Sequence, residues 1–230
     1  MILWLSSPNS LSWLECPKGC DCQGVFKFVN CSCAFLTIIP SSLPMDTEHF
    51  DLSRNNLSVI PQQAFTSLMT RLRRLYLQHN NLVVLSNGVF STLQQLEVLN
   101  LEGNQINSID VEYKTFLSIH TFGTHILLAD NPWQCDCDLQ RVFRKLLSVQ
   151  RLVFDDYVNL TCKEPAVLNG CKLADVNNRL CIGETVTVLI ITFTVLVTVV
   201  AAIVMAERNR KKRTGKHWSE ECDLSYDSQD

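Results

Sequence analysis

Basic charge is in short supply: 20 Lys and Arg stand against 23 Asp and Glu, a formal net charge of −3. That balance gives no footprint for nucleic acid. Histidine is scarce as well, with five in the chain. His120 and His125 share no motif with an acid or a nucleophile, so no catalytic constellation forms and the chain reads as a non-enzyme without a cofactor. Cysteine is plentiful, at eleven residues, but the Cys-x-Cys pairs match no common zinc spacing. Basic residues are missing from the first 14 positions, MILWLSSPNSLSWL, and Ser6 to Ser10 break their apolar run. Residues 1–15 therefore read as an atypical or incomplete signal peptide. Formal charge is missing altogether from Thr185 to Ala206.

What is present is a ladder of four asparagines. Asn55, Asn80, Asn104 and Asn131 each follow an apolar pair: Phe50 and Leu52, Leu75 and Leu77, Leu99 and Leu101, Ile126 and Leu128. A period in the twenties with the pattern L-x-L-x-x-N is the signature of a leucine-rich-repeat solenoid. Alternation sends Leu75 and Leu77 into a core and leaves Tyr76 outside. A short strand is expected to end at each asparagine. The buried amide, with two donors and an acceptor, would satisfy backbone groups that lose their strand partners there. Further apolar residues close each unit: Leu57, Ile60 and Phe65 in the first, Leu82, Leu85, Phe90 and Leu93 in the second. The third loses register, with Tyr113 and Phe116 near the expected phenylalanine, which suggests a bulge or longer loop. One unit cannot bury its apolar face alone, so the stack needs neighbours and covered ends.

Most of the cysteines fall in two clusters flanking the ladder and point to disulfides in an oxidising compartment. The first is C-x3-C-x-C-x8-C followed by L-x-x-I-P-x-x-L-P (Cys16 to Pro44), and the second opens with N-P-W-x-C-D-C-x-L at Asn131. These resemble the N- and C-terminal caps of extracellular leucine-rich-repeat proteins. The resemblance implies the pairs Cys16–Cys22, Cys20–Cys31, Cys135–Cys162 and Cys137–Cys181. A cross-link closing some tens of residues is worth about 3–4 kcal/mol in the chain-entropy account. Cys33 and Cys171 are left over. They sit in opposite caps, separated by four coils or about 20 Å, beyond disulfide reach. Two readings stay open for them: buried free thiols, or a covalent link to another chain.

The uncharged segment is long enough, at about 33 Å of helix, to cross a hydrocarbon core. Arg208, Arg210, Lys211, Lys212 and Arg213 follow it and mark a cytoplasmic side, with anionic lipid headgroups as their expected contact. The organisation expected is a segment at 1–15, an N-terminal cap at 16–44, repeats at 45–130, a C-terminal cap at 131–184, a transmembrane helix at 185–206 and a cytoplasmic tail at 207–230. The fold class is α/β: a leucine-rich-repeat solenoid of about four repeats with disulfide caps, plus one transmembrane helix. Asn30, Asn56 and Asn159 head N-x-S/T sequons on the outer side, and Asn56 is the favoured acceptor because it should point to solvent.

Three surfaces are available for function. Outward positions of the strands present Arg74, Tyr76, Gln78, Asn100, Glu102 and His125 as candidate partner-binding residues; Tyr76 beside Arg74 has hot-spot composition. Thr194, Thr198, Ala202 and Ala206 form a small-residue stripe on the membrane helix, a route to lateral association. The tail is too short for a domain. The whole resembles small single-pass type I leucine-rich-repeat surface proteins, such as neuronal adhesion molecules, the small chains of the platelet glycoprotein Ib complex and the gamma auxiliary subunits of potassium channels. That resemblance implies a cell-surface protein at the plasma membrane, with an extracellular N-terminus, binding a protein ligand or a membrane-protein partner. The alternative is a gamma-type auxiliary subunit acting through its helix and basic cluster.

Overall fold

The computed structural model describes residues 16–62, 64–65, 69–108, 113–176 and 179–226, and side chains in the last helix for 187–211. Residues 1–15 lie outside it. The chain divides into two units, Met1–Val176 and Asn177–Asp230.

The first unit is a coil stacked on itself. Its strands are β1 (Asp21–Gln23), β2 (Phe28–Asn30), β3 (His49–Asp51), β4 (Val59–Ile60), β5 (Arg74–Tyr76), β6 (Val84–Leu85), β7 (Val98–Asn100), β8 (Thr124–Leu127), β9 (Trp133–Gln134), β10 (Leu152–Phe154) and β11 (Cys162–Glu164). Seven of them make one sheet, in the order β1-β2-β3-β5-β7-β8-β10. All neighbours are parallel except the β1–β2 hairpin. This is the leucine-rich-repeat fold.

The sheet continues into both caps instead of being merely covered by them. β2 pairs Val29 with Phe50, so Val29 and Cys31 take the places that Phe50 and Leu52 hold in the next coil. β10 pairs Phe154 with Ile126. Inward residues of every coil are fully buried, among them Phe50, Leu52, Leu75, Leu77, Leu99, Leu101, Ile126 and Leu128. Phe65 and Phe90 stack across adjacent coils with centroids 6.0 Å apart. Opposite the long sheet, β4 and β6 form a small parallel pair, Val59 against Val84. The third coil departs from that pattern: helix α1 (Tyr113–Leu117) stands on its far side and places Phe116 in the core.

The C-terminal cap is built around helix α2 (Cys137–Leu147). Asp136 caps it, accepting from the Leu139 N–H at 2.8 Å, and Arg144 and Lys145 lie in its last turn, favourable to the helix dipole. Its inner face carries Phe143 against Trp133, Phe154 and Tyr157.

The described residues of the second unit form one helix, α3 (Arg179–Tyr226), of 48 residues. Among the described residues, Thr187–Lys211 is the segment long and apolar enough to cross a membrane, with mean hydropathy 2.9. The helix does not stop at the basic cluster, as a short tail would suggest. Residues 207–213 are mostly Glu, Arg and Lys, good helix formers that continue the turn.

Candidate functional site

The asparagines set the geometry of the sheet face. Each strand ends four residues before its asparagine, earlier than the sequence pattern suggested. The chain then turns through a left-handed residue directly ahead of each amide: Arg54 (φ 55°), His79 (56°), Gly103 (64°) and Asp130 (54°). The amide stitches its coil to the preceding one. Asn80 donates to the Leu77 carbonyl of its own coil and the Leu52 carbonyl of the coil before, both at 3.0 Å, and accepts from the Leu57 N–H at 3.1 Å. Asn104 and Asn131 repeat the pattern one coil further on each time. Asn55 joins the first repeat to the N-terminal cap through the Cys31 carbonyl and the Leu36 N–H. This register holds the outward side chains in rows.

One row runs Phe28, His49, Arg74, Val98, His125 and Val153; the next runs Asn30, Asp51, Tyr76, Asn100 and Leu127. The structure therefore brings Arg74, Tyr76 and Asn100 together on adjacent strands. Gln78 and Glu102 follow two residues past Tyr76 and Asn100. Arg74 and His125 are exposed and the other four half-buried. His125 is not free: its Nδ1 lies 3.0 Å from both carboxylate oxygens of Asp155 in the C-terminal cap. Ser53, an outward position by alternation, is buried. Burial is the first cause pushing the His49 imidazole below its usual pKa, and the Arg74 guanidinium adds to it.

Two features here were missed in the sequence. The first is a charged rung at the strand entrances. Glu48 takes Lys27 Nζ at 2.5 Å and faces Arg73 Nε at 3.6 Å, while Arg73 reaches Glu97 at 2.5 Å. The hydrogen bond from Lys27 holds the Glu48 carboxyl below its ordinary value. Alternating signs at Glu48, Arg73 and Glu97, always two residues before the first inward residue of the strand, were the available signal. The second is Asp156. It lies two residues beyond Phe154, as Leu128 lies beyond Ile126, so a carboxyl occupies the position of a core leucine. Its Oδ2 accepts the Leu128 and Ala129 N–H groups at 2.6 Å each, and its Oδ1 is buried without a partner. Burial pushes its pKa up, against the opposing effect of those bonds.

The caps contain the disulfides Cys16–Cys22, Cys20–Cys31 and Cys135–Cys162. Cys137 is also disulfide-bonded; the side chain of its expected partner, Cys181, lies outside the described residues. Cys33 and Cys171 are free and exposed, which corrects the reading of them as buried thiols. Cys33 stands at the left-handed rim position (φ 54°), its N–H on the Ser53 carbonyl, as Arg54 does one coil later on Gln78. Rim positions face solvent whatever residue fills them.

Of the sequon asparagines, Asn56 and Asn159 are exposed and Asn30 is half-buried, its Oδ1 accepting from the Ser32 N–H. In the second unit Arg208, Arg210 and Lys211 are exposed, and the side chains of Lys212 and Arg213 lie outside the description. The Thr194 and Thr198 hydroxyls donate to the Ile191 and Val195 carbonyls of their own helix at 2.8 Å, so their donors are already engaged. Among the described residues no group of three or more His, Cys, Asp or Glu is placed to hold a metal.

A leucine rich repeat family model matches residues 47–106. Leucine-rich repeat-containing protein 3B of Danio rerio is 39% identical over 132 residues, 55% of this chain and 49% of that protein. Leucine-rich repeat-containing protein 3 of the same organism is 35% identical over 148 residues, 63% and 52%. The chain thus spans about half the length of these curated relatives. Toll-like receptor 2 of Boselaphus tragocamelus is 26% identical over 190 residues, 80% of this chain and 23% of the receptor. The crystal structure of human trophoblast glycoprotein covers 72% of this chain and 98% of its own at 18% identity, with a TM-score of 0.40.

Proposed function

We propose that this chain is a non-enzymatic cell-surface recognition protein that binds a protein partner on the outward face of its seven-stranded sheet. The observation that carries the reading is the register placing Arg74, Tyr76 and Asn100 side by side on β5 and β7. A half-buried tyrosine flanked by a guanidinium and amides is the composition on which interface energy concentrates. Similarity over 80% of the chain to a protein named as a receptor supports the same class. In this reading the repeat unit lies outside, the helix crosses once, and Arg208, Arg210, Lys211, Lys212 and Arg213 meet anionic headgroups at the inner leaflet of the plasma membrane. Exposed Cys33 and Cys171 give the ectodomain two thiols from which a disulfide-linked oligomer can form.

The test is binding of a labelled ectodomain (residues 16–184) to cells, with partner capture. Tyr76→Ala and Arg74→Glu should each abolish most binding without changing the unfolding midpoint. Binding unchanged in both variants refutes the assigned face. A second reading, an auxiliary subunit of a channel or receptor, draws on the unbroken course of α3 through the basic residues. Residues 182–216 grafted onto an unrelated ectodomain would then keep the activity, and the soluble ectodomain would bind nothing.

A further inference from the structure

On the flank opposite the long sheet, a row of apolar side chains faces solvent. Phe35 is 91% exposed, Ile38 76%, Val59 55% and Val84 47%, with Val83 beside them. The adjacency of Ile38, Val59 and Val84 follows from the coil register. Val59 pairs with Val84, and Leu36 to Pro40 repeat the L-x-x-I-P of Leu57 to Pro61, which puts Ile38 where Val59 stands one coil later. Isolated apolar residues on a surface need no explanation, but a contiguous row across three coils does.

The same flank carries the favoured sequon. The Asn56 N–H donates to the Leu36 carbonyl at 2.8 Å, and the Asn81 N–H donates to the Leu57 carbonyl at 2.9 Å. Phe35, Asn56 and Asn81 therefore form one column, a coil apart or about 5 Å each. Asn81 Nδ2 donates to Asn56 Oδ1. That bond turns the Asn56 carboxamide so that its oxygen faces the neighbouring coil and its Nδ2, the atom that takes a sugar, is left free. Ser58, the hydroxyl residue of the sequon, is exposed.

We propose that Asn56 carries an N-linked glycan whose first N-acetylglucosamine lies over Phe35 and the adjoining aliphatic row, so that the chain's own carbohydrate covers this flank. The inference rests on the extracytoplasmic placement of the repeat unit given above. In the transfer step, the bond from Asn56 Nδ2 to the anomeric carbon forms as the bond from that carbon to a polyisoprenyl diphosphate breaks. The diphosphate leaves with the electron pair, and a base of the lumenal transferase takes the Nδ2 proton. The hydrophobic C–H face of the sugar then meets the Phe35 ring, an apolar contact that leaves the hydroxyl groups in water.

The test uses the full chain expressed in mammalian cells. Peptide mass spectrometry after amidase release should find Asn56 converted to Asp, and Asn56→Gln should lose that glycan. A control separates this inference from the topology. Val83→Thr in the Asn56→Gln background creates a sequon at Asn81, one coil along on the same flank. Glycan at Asn81 with Asn56 bare in the wild type overturns the inference and leaves the topology standing. Bare asparagine at both overturns the inference together with the topology. The contact has its own readout: Phe35→Ala should lower the unfolding midpoint by about 2–4 °C in the glycosylated protein and leave it unmoved in the Asn56→Gln background. An equal effect in both backgrounds refutes the sugar–ring contact.

Discussion

Replacing Asn80 with alanine tests the amide ladder directly. Asn80 is 3% exposed and makes four backbone bonds, but its loss does not strand all four partners: the Gln78 carbonyl, whose bond from Asn80 is long at 3.5 Å, keeps the Arg54 N–H. The Leu52 carbonyl keeps a bond from Asn55, and the Leu77 carbonyl keeps one from Asn104. The Leu57 N–H has Asn80 Oδ1 as its acceptor, and it is orphaned inside the coil. An unsatisfied buried donor costs about 1–3 kcal/mol, and the three lost bonds whose partners keep alternatives add about 1 kcal/mol more. The sum, about 2–4 kcal/mol, lowers the unfolding midpoint by roughly 4–16 °C at this size. Asn80→Asp sharpens the test. It keeps an acceptor for Leu57 but sets carboxylate oxygen against the Leu52 and Leu77 carbonyls, so it should be the worse variant at neutral pH and recover toward acid as it protonates. Exposed Asn81→Ala serves as control, within about 0.5 kcal/mol of wild type. Thermal and urea unfolding with disulfides intact give the numbers. If Asn80→Ala matches Asn81→Ala, the ladder does not hold the coils together.

Other outcomes follow from the same geometry. Asp156 has its pKa raised above 3.8, so its contribution to stability is complete below that value and is lost as pH rises through the elevated folded value. The stability of wild type relative to Asp156→Asn should therefore fall as pH rises above 3.8, and a rise in paired melts contradicts the assignment. Gly103→Ala meets a left-handed backbone and the His79 ring, with Nδ1 2.4 Å from the added carbon. About 1–2 kcal/mol is expected, and removing the ring in Gly103→Ala/His79→Ala should restore part of it. Arg73→Ala removes partly exposed ion pairs and should cost under about 1 kcal/mol, less at high salt. Iodoacetamide applied to the native, unreduced ectodomain should label Cys33 and Cys171 and spare the cap disulfides, as read by peptide mapping.

The repeat was legible because its determinants are side chains at fixed intervals: alternating leucines and a buried amide leave few other ways to stack. The strand termini were harder, since the left-handed residue before each asparagine is Arg, His, Gly or Asp and carries no common signature. Cap strands were hidden because a bonded cysteine, Cys31, stands in for a leucine at one end and a carboxyl, Asp156, at the other. Both obey the period while breaking the apolar pattern. The sheet-face candidates came from alternation alone, and alternation could not see that Asp155, just past the end of a strand not recognised as such, would reach across to His125. The Glu48–Arg73–Glu97 rung was readable but sat outside the core pattern.

Because every ladder amide reaches back a single turn of the coil, the cassette from Asn80 to Gly103 is self-contained. Lifting it out, or copying it, joins like to like and leaves no amide reaching for a missing neighbour. The C-terminal end is a different matter: the Leu128 N–H, which by the pattern of Leu52, Leu77 and Leu101 would go to a backbone carbonyl of the next coil, goes instead to the Asp156 carboxylate. The molecule is open to lengthening from within, while at the join to its C-terminal cap a side chain does what backbone does elsewhere.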